Sequence, residues 1–208
     1  MRILVTAPTI FEIAPFTEKF PFAESLVTGV GTAFTVYHLT KRLHNNHFDM
    51  VIQAGVAGSF SNDMQLADVV KVRSDLFADL GAFEKNNFAS IFDLGLAGMN
   101  EIPFKSGKLI NQTIDGVLKN VKPVDALTVN ALTDELERIN HFLKKYNAQI
   151  ETMEGAAFHY VCLLEKTPFI QLRAISNYVG ERNKTKWKLK EAIRNLNAEL
   201  IELYASLA

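Results

Sequence analysis

The sequence predicts a single α/β domain, a three-layer α/β/α sandwich built on a mostly parallel, mixed central sheet. Apolar runs of strand length alternate with amphipathic stretches along most of the chain, the pattern of a sheet covered by helices on both faces. A length of 208 residues, 48% of them hydrophobic, suffices for one substantial core. No linker, repeat or low-complexity segment divides residues 1–208.

The chain opens on an apolar run, Arg2 to Thr6, which reads as a buried strand. Pro8 stands where a helix can begin, and Ile10, Phe11, Ile13 and Ala14 give that helix an apolar face. Ser25 to Thr28 forms a second strand ending on Gly29-Val30-Gly31, and an amphipathic helix follows from about Thr32 to His44. Met50 to Ala54 is a third strand running into Gly55-Val56-Ala57-Gly58, and Asp68 to Val72 a fourth. Phe77 to Phe104 has no decisive pattern. The alternation resumes with a strand at Ala126 to Asn130, a helix from Asp134 to Tyr146, a strand at Gln149 to Met153 and a helix from Gly155 to Glu165. Phe169 to Ser176 is the last strand. The closing helix, Lys186 to Leu207, sets Ile193, Leu196, Leu200, Leu203 and Leu207 three and four apart, one apolar face for the sheet.

Composition excludes several classes of function. A net charge of −1 gives no excess of cations for nucleic acid or an anionic membrane surface. The apolar runs are far shorter than a membrane span, and residues 1–20 carry Glu12, Glu18 and two prolines, unlike a secretory signal. Cys162 is the only cysteine, which excludes an internal disulfide and fits a reducing, cytoplasmic setting. It lies in an apolar helical stretch, as a packed thiol does. The five histidines show no HExxH spacing and no Cys/His cluster exists, so neither a metal nor a cofactor is expected. Gly29-Val30-Gly31 begins like a dinucleotide fingerprint, but Phe34 occupies the third glycine position and the turn follows the second strand.

Ligands of such sheets sit beyond the carboxyl ends of the strands. That rule points to Glu12, Gly29–Gly31, Gly55–Ser59, Asn130–Thr133, Met153-Glu154 and Asn177–Asn183. Glu154 opens a helix, where the macrodipole alone favours a carboxylate; equally, the small residues Gly155-Ala156-Ala157 let a ligand approach it. Asn177 could end its strand or read a heterocycle, its amide offering two donors and an acceptor in one plane.

On these residues the chain resembles the nucleoside phosphorylase and nucleosidase superfamily, most nearly the branch that hydrolyses futalosine, a hypoxanthine nucleoside of menaquinone biosynthesis. The resemblance rests on Glu12, Gly29-Val30-Gly31, Ala54 to Phe60, Ala78 to Ala82, Met153-Glu154-Gly155 and the run from Gln171 to Asn183 with Trp187 after it. It implies a nucleoside phosphorylase-like fold, a small-molecule purine nucleoside as partner, no cofactor, and a homodimer or larger assembly whose neighbour covers the 5′ side of the pocket. It also implies that Glu12 deprotonates the attacking water, that Glu154 binds the ribose hydroxyls with Met153 against the sugar, and that Asn177 addresses the leaving purine. The backbone near Ala131 and Leu132 would line the purine site.

Two departures refine that expectation. Adenine-cleaving relatives carry an aspartate where this chain has Asn177; an asparagine amide bonding N7 and O6 suits a 6-oxopurine. Phosphorylases place an arginine just before the third strand's glycine segment and a serine within it, where this chain has Gln53 and, after Gly55, Val56. Without those groups a phosphate dianion would lack counter-charge, so water is expected as the nucleophile. Arg182, in the polar loop after Asn177, is a candidate for gripping a substrate carboxylate or ordering the loop, with an ordinary pairing to Glu181 as the alternative.

Overall fold

The computed structural model describes residues 1–84, 87–113 and 118–207. Its strands are β1 (Ile3–Ala7), β2 (Glu24–Val27), β3 (Met50–Ser59), β4 (Val69–Asp75), β5 (Gly81–Glu84), β6 (Asn87–Ser90), β7 (Leu109–Ile110), β8 (Lys122–Thr128), β9 (Ile150–Thr152) and β10 (Phe169–Tyr178). The α-helices are α1 (Ile10–Lys19), α2 (Thr32–Asn45), α3 (Leu136–Tyr146), α4 (Gly155–Leu164) and α5 (Leu189–Leu207).

The main sheet runs β10-β4-β8-β9-β3-β1-β2, and β10 also pairs with β3. Five strands therefore close into a ring, β3-β10-β4-β8-β9, from which β1 and β2 extend as a wing. The β1–β2, β1–β3, β3–β10, β4–β8 and β8–β9 pairings are parallel; β4–β10 and β3–β9 are antiparallel. Ala57, Val70, Val72, Val124, Ala126, Ile150 and Ile175 pack together, with all five ring strands contributing to the cluster.

Helices cover both faces. Ile13 and Phe16 of α1 and Leu196, Leu200 and Leu203 of α5 bury against Ile3, Val5, Ile52 and Leu172. On the opposite face Leu39 and Leu43 of α2 and Phe158, Val161 and Cys162 of α4 meet Leu4, Val51 and Phe169. The α/β/α class follows from this burial, since each helix shields one apolar face of the sheet from water.

Several element bounds differ from expectation. β8 begins at Lys122, four residues early, because Lys122, Pro123 and Asp125 disguise its polar start. β3 and β10 are ten residues each and absorb the glycine segment and Asn177, which the sequence suggested would follow the strands as turns. The patternless stretch from Phe77 holds the β5–β6 hairpin.

Candidate active site

A cavity of about 390 Å³ opens at the carboxyl ends of β1, β3, β9 and β10. Among the residues singled out in the sequence, Glu12, Val56, Leu132, Met153, Glu154, Asn177 and Arg182 line it. Gly55 lies behind the wall. A methyl group there would come within 2.4 Å of Arg173 Nη1 and 3.1 Å of Glu12 Oε1, so this position lets two charged groups approach the backbone.

Glu12 sits in the first turn of α1 and is buried. Its Oε2 accepts from the Thr9 backbone N–H (3.0 Å) and the Thr9 hydroxyl (2.8 Å), while Oε1 accepts from the Val56 N–H at 3.0 Å. Thr9-x-x-Glu12 is thus a capping pattern that fixes the helix start and the carboxylate together. A carboxylate oxygen offers two lone pairs, so Oε1 keeps one for a proton from the cavity. The same turn is held from behind by Asn197 of α5. Asn197 Nδ2 donates to Glu12 O (2.8 Å) and its Oδ1 accepts from Phe16 N (3.1 Å), bridging two groups that an uninterrupted helix would bond directly.

Glu154 occupies the N-cap of α4, yet its side chain makes no capping bond. The Thr152 and Thr128 hydroxyls serve the Gly155 and Ala156 N–H groups instead, at 3.1 and 2.8 Å. Glu154 turns away, its Oε1 accepting from Gly31 N–H at 3.0 Å and its Oε2 lying 3.5 Å from Arg173 Nη1. Gly31 holds φ at +99°, which glycine adopts without strain, and so aims its N–H at the carboxylate. Burial raises the Glu154 pKa, the Arg173 charge and the Gly31 N–H oppose that rise, and the Glu12 charge adds to it. A helix-start carboxylate serving only the dipole would not be arranged this way.

Arg173 was not singled out in the sequence. It is fully buried on β10, donates to Gln53 Oε1 at 2.6 Å and approaches the Val56 carbonyl at 3.4 Å. The signal was present, since a guanidinium inside an apolar strand requires buried partners. Its presence corrects the expectation that this region lacks a cation. Gln53, placed where phosphorylases carry an arginine, serves as acceptor for one supplied by another strand. Two carboxylates nevertheless surround that single guanidinium.

Asn177 lies within β10 at a register shift between Ile175 and Asn177. Its Oδ1 accepts from the Ser176 hydroxyl (2.8 Å), and its Nδ2 donates to the Tyr178 carbonyl (3.0 Å). These bonds fix the amide's orientation and leave one N–H free, where the sequence alone suggested two. Leu132 reaches the cavity from a loop braced by Asn130, which donates to Asp79 from N (2.7 Å) and Nδ2 (3.1 Å) and accepts from Thr32. In the loop after β10 the Glu181 carboxylate pairs with Lys186 at 2.6 Å, not with Arg182. Trp187 Nε1 donates to the Glu181 carbonyl at 2.9 Å and closes the loop on itself. Arg182 is exposed at the cavity margin with no hydrogen-bond or ion-pair partner among the described residues.

No group of three His, Cys, Asp or Glu side chains suited to a metal occurs among the described residues, and none of their helices is long and apolar enough to cross a membrane. Beneath α4, Thr128 and the Leu76 N–H donate to Asp75 Oδ1 at 2.9 and 2.8 Å, and burial pushes that carboxyl up to about 7.

The chain matches the family model of the phosphorylase superfamily over residues 25–205. It is 29% identical to a futalosine hydrolase of Thermus thermophilus, the match covering 97% of this chain and 95% of the relative. Two solved structures from Helicobacter pylori superimpose closely at 16% identity: a 5′-methylthioadenosine/S-adenosylhomocysteine nucleosidase and a futalosine hydrolase. Each has a TM-score of 0.82, covering 98% of this chain and 97% of the other. The match to the family model over most of the chain places this protein in the phosphorylase superfamily.

Proposed function

We propose that this protein hydrolyses the N-glycosidic bond of futalosine, releasing hypoxanthine and the dehypoxanthinyl sugar in the cytoplasm, as a step of menaquinone biosynthesis. The observation that carries the choice of water is the charge at the cavity floor. Glu12 and Glu154 lie beside the buried guanidinium of Arg173 at that floor, so a phosphate dianion there would meet two carboxylates and a cation already committed to Glu154 and Gln53. Water needs only a base.

As the C–N bond stretches, positive charge builds on the sugar and negative charge on the purine. Glu12 Oε1, with its free lone pair, takes the proton of the attacking water. Glu154 accepts from the ribose hydroxyls and offsets the developing cation, while Met153 packs beside the sugar. The free Asn177 N–H donates to the N7 and O6 edge of the leaving base, a preorganised dipole worth roughly 2–4 kcal/mol at the transition state. Arg182 meets the carboxylate of the 5′ substituent. Phe11 and Val30 at the cavity margin and nearby Phe34 are exposed, which supports a homodimer or larger assembly in which a second copy covers this side.

The test is chromatography of reactions in which the purified protein meets futalosine, inosine or methylthioadenosine separately, with and without phosphate. Futalosine should be the preferred substrate, giving hypoxanthine and free sugar whatever the phosphate concentration. A sugar 1-phosphate as main product, or faster cleavage of methylthioadenosine, would overturn the assignment.

A further inference from the structure

Asp75, the last residue of β4, is fully buried behind the cavity wall and has no part in the chemistry above. A chain of hydrogen bonds nevertheless ends on it, and that chain begins at the helix that follows Glu154. The Gly155 N–H donates to the Thr152 hydroxyl at 3.1 Å and the Ala156 N–H to the Thr128 hydroxyl at 2.8 Å. The two hydroxyls are 3.0 Å apart, and Thr128 donates to Asp75 Oδ1 at 2.9 Å. A hydroxyl has one hydrogen and two lone pairs. Because Thr128 commits its hydrogen to Asp75, the bond between the threonines runs from Thr152 to Thr128. Every link then points from the start of α4 towards the carboxylate, whose Oδ1 is completed by the Leu76 N–H at 2.8 Å.

The alternative to this chain is Glu154 itself. A side chain at the N-cap ordinarily accepts from the N–H two or three residues further on, and Ala156 stands two residues after Glu154, the N-cap of α4. Capping its own helix would draw the Glu154 carboxylate away from the Gly31 N–H and Arg173, which now hold it at the cavity. Thr128 takes the Ala156 N–H instead. The helix start lies directly on this substitute cap: a methyl group on Gly155 would come within 2.1 Å of Asp75 Oδ2, 2.4 Å of Gln171 Nε2 and 2.9 Å of Thr152 Oγ1.

We infer that Asp75, Thr128 and Thr152 are positioning residues for the hydrolysis, capping α4 in place of Glu154 and so keeping the Glu154 carboxylate turned to the ribose hydroxyls. This rests on the ribose-binding role of Glu154 in the proposed function. The chain needs only Oδ1 of Asp75 as an acceptor, and a proton on Oδ2 leaves it one. Asp75→Asn keeps that oxygen as well. Thr128→Val removes the link that matters most, since the Ala156 N–H then loses its acceptor and Glu154 is the carboxylate placed to take it.

The experiment is a double-variant cycle on the full-length protein, with kcat/KM for futalosine measured in Thr128→Val, Glu154→Ala and the two combined, and thermal unfolding recorded for each. With Glu154 present, Thr128→Val should lower kcat/KM about 10- to 100-fold, as expected when hydrogen bonds to a charged acceptor are lost. Added to Glu154→Ala, it should cost less than about threefold, because no carboxylate remains to be misplaced. Thr128→Ser keeps the hydroxyl and Asp75→Asn keeps Oδ1, so each should stay within about threefold of the unmodified protein, whereas Asp75→Ala should fall about tenfold. No loss in Thr128→Val, or an equal loss with and without Glu154, would overturn the assignment, the second result marking a general loosening of the site. Should Thr128→Val not fold, the Asp75 pair decides, and Asp75→Asn falling as far as Asp75→Ala would overturn it. Each of these results leaves futalosine hydrolysis standing if the unmodified protein cleaves futalosine. Futalosine left intact by the unmodified protein would overturn both.

Discussion

Replacing Glu12 by glutamine separates its two roles, because the structure gives each its own consequence. The carboxylate accepts three hydrogen bonds, two on Oε2 from Thr9 and one on Oε1 from Val56. A glutamine has one acceptor oxygen. Turned towards Thr9, it keeps two bonds and sets its own NH₂ against the Val56 N–H; turned the other way, it loses more. The better arrangement leaves a buried donor unpaired at about 1–3 kcal/mol, a Tm decrease of roughly 2–12 °C for a chain of this size. In that arrangement the atom facing the cavity has no lone pair for a proton, so kcat should fall by about 10²–10⁴ with KM little changed. The assay is steady-state hydrolysis of futalosine well below the variant's melting temperature, with thermal unfolding recorded beside it. Thr9→Val is the control: it removes the hydroxyl bond and destabilises by about 1 kcal/mol, but should keep kcat within about fivefold. Glu12→Gln with near-normal kcat would refute the general-base role. So would Thr9→Val falling as far as Glu12→Gln, since the loss would then come from a loosened helix start.

Asn177→Asp places an oxygen against the Tyr178 carbonyl where Nδ2 now donates at 3.0 Å. Loss of that bond and of the free N–H should lower kcat/KM for futalosine by about 10- to 100-fold and raise the relative preference for its 6-amino analogue; an unmoved ratio would show that this residue does not read the base. Arg182→Ala should raise KM for futalosine far more than for inosine, whereas equal losses would assign Arg182 to loop ordering. Asp75 has a folded-state pKa of about 7, above the ordinary 3.8, so its contribution to stability is complete below about pH 4 and is lost as pH rises through 7. Asp75→Asn should remove that loss, its stability relative to the unmodified protein growing between pH 4 and pH 8 by up to ~4 kcal/mol in denaturant titrations; parallel pH profiles would count against it.

The catalytic candidates were legible because they follow strands and interrupt apolar patterns. Glu12, Glu154 and Asn177 all stand at the carboxyl ends of strands, and the structure brings them to one cavity. Arg173 was not singled out because it lies inside a strand. There, the alternation of side chains decides which face a polar group meets, and only the register between distant strands shows what stands opposite. The closing of the ring was hidden for the same reason, since β3 and β10 are separated by more than a hundred residues. A strand as short as β7, two residues long, carries too little periodicity to be read alone.

The C-terminal segment has a consequence for when activity can begin. Arg173 and Asn177 lie on β10, which fills the gap between β3 and β4, and Asn197 on α5 braces the turn that carries Glu12. A chain emerging from the ribosome would hold Glu12 long before the Asn197 that braces its turn, and Glu154 before Arg173. Until β10 and α5 emerge, the ring stays open, Glu154 lacks its guanidinium, and the helix bearing the base lacks its brace. Synthesis that stops short of these elements would therefore leave an inert fragment with an unpaired sheet edge, prone to aggregate and open to proteases.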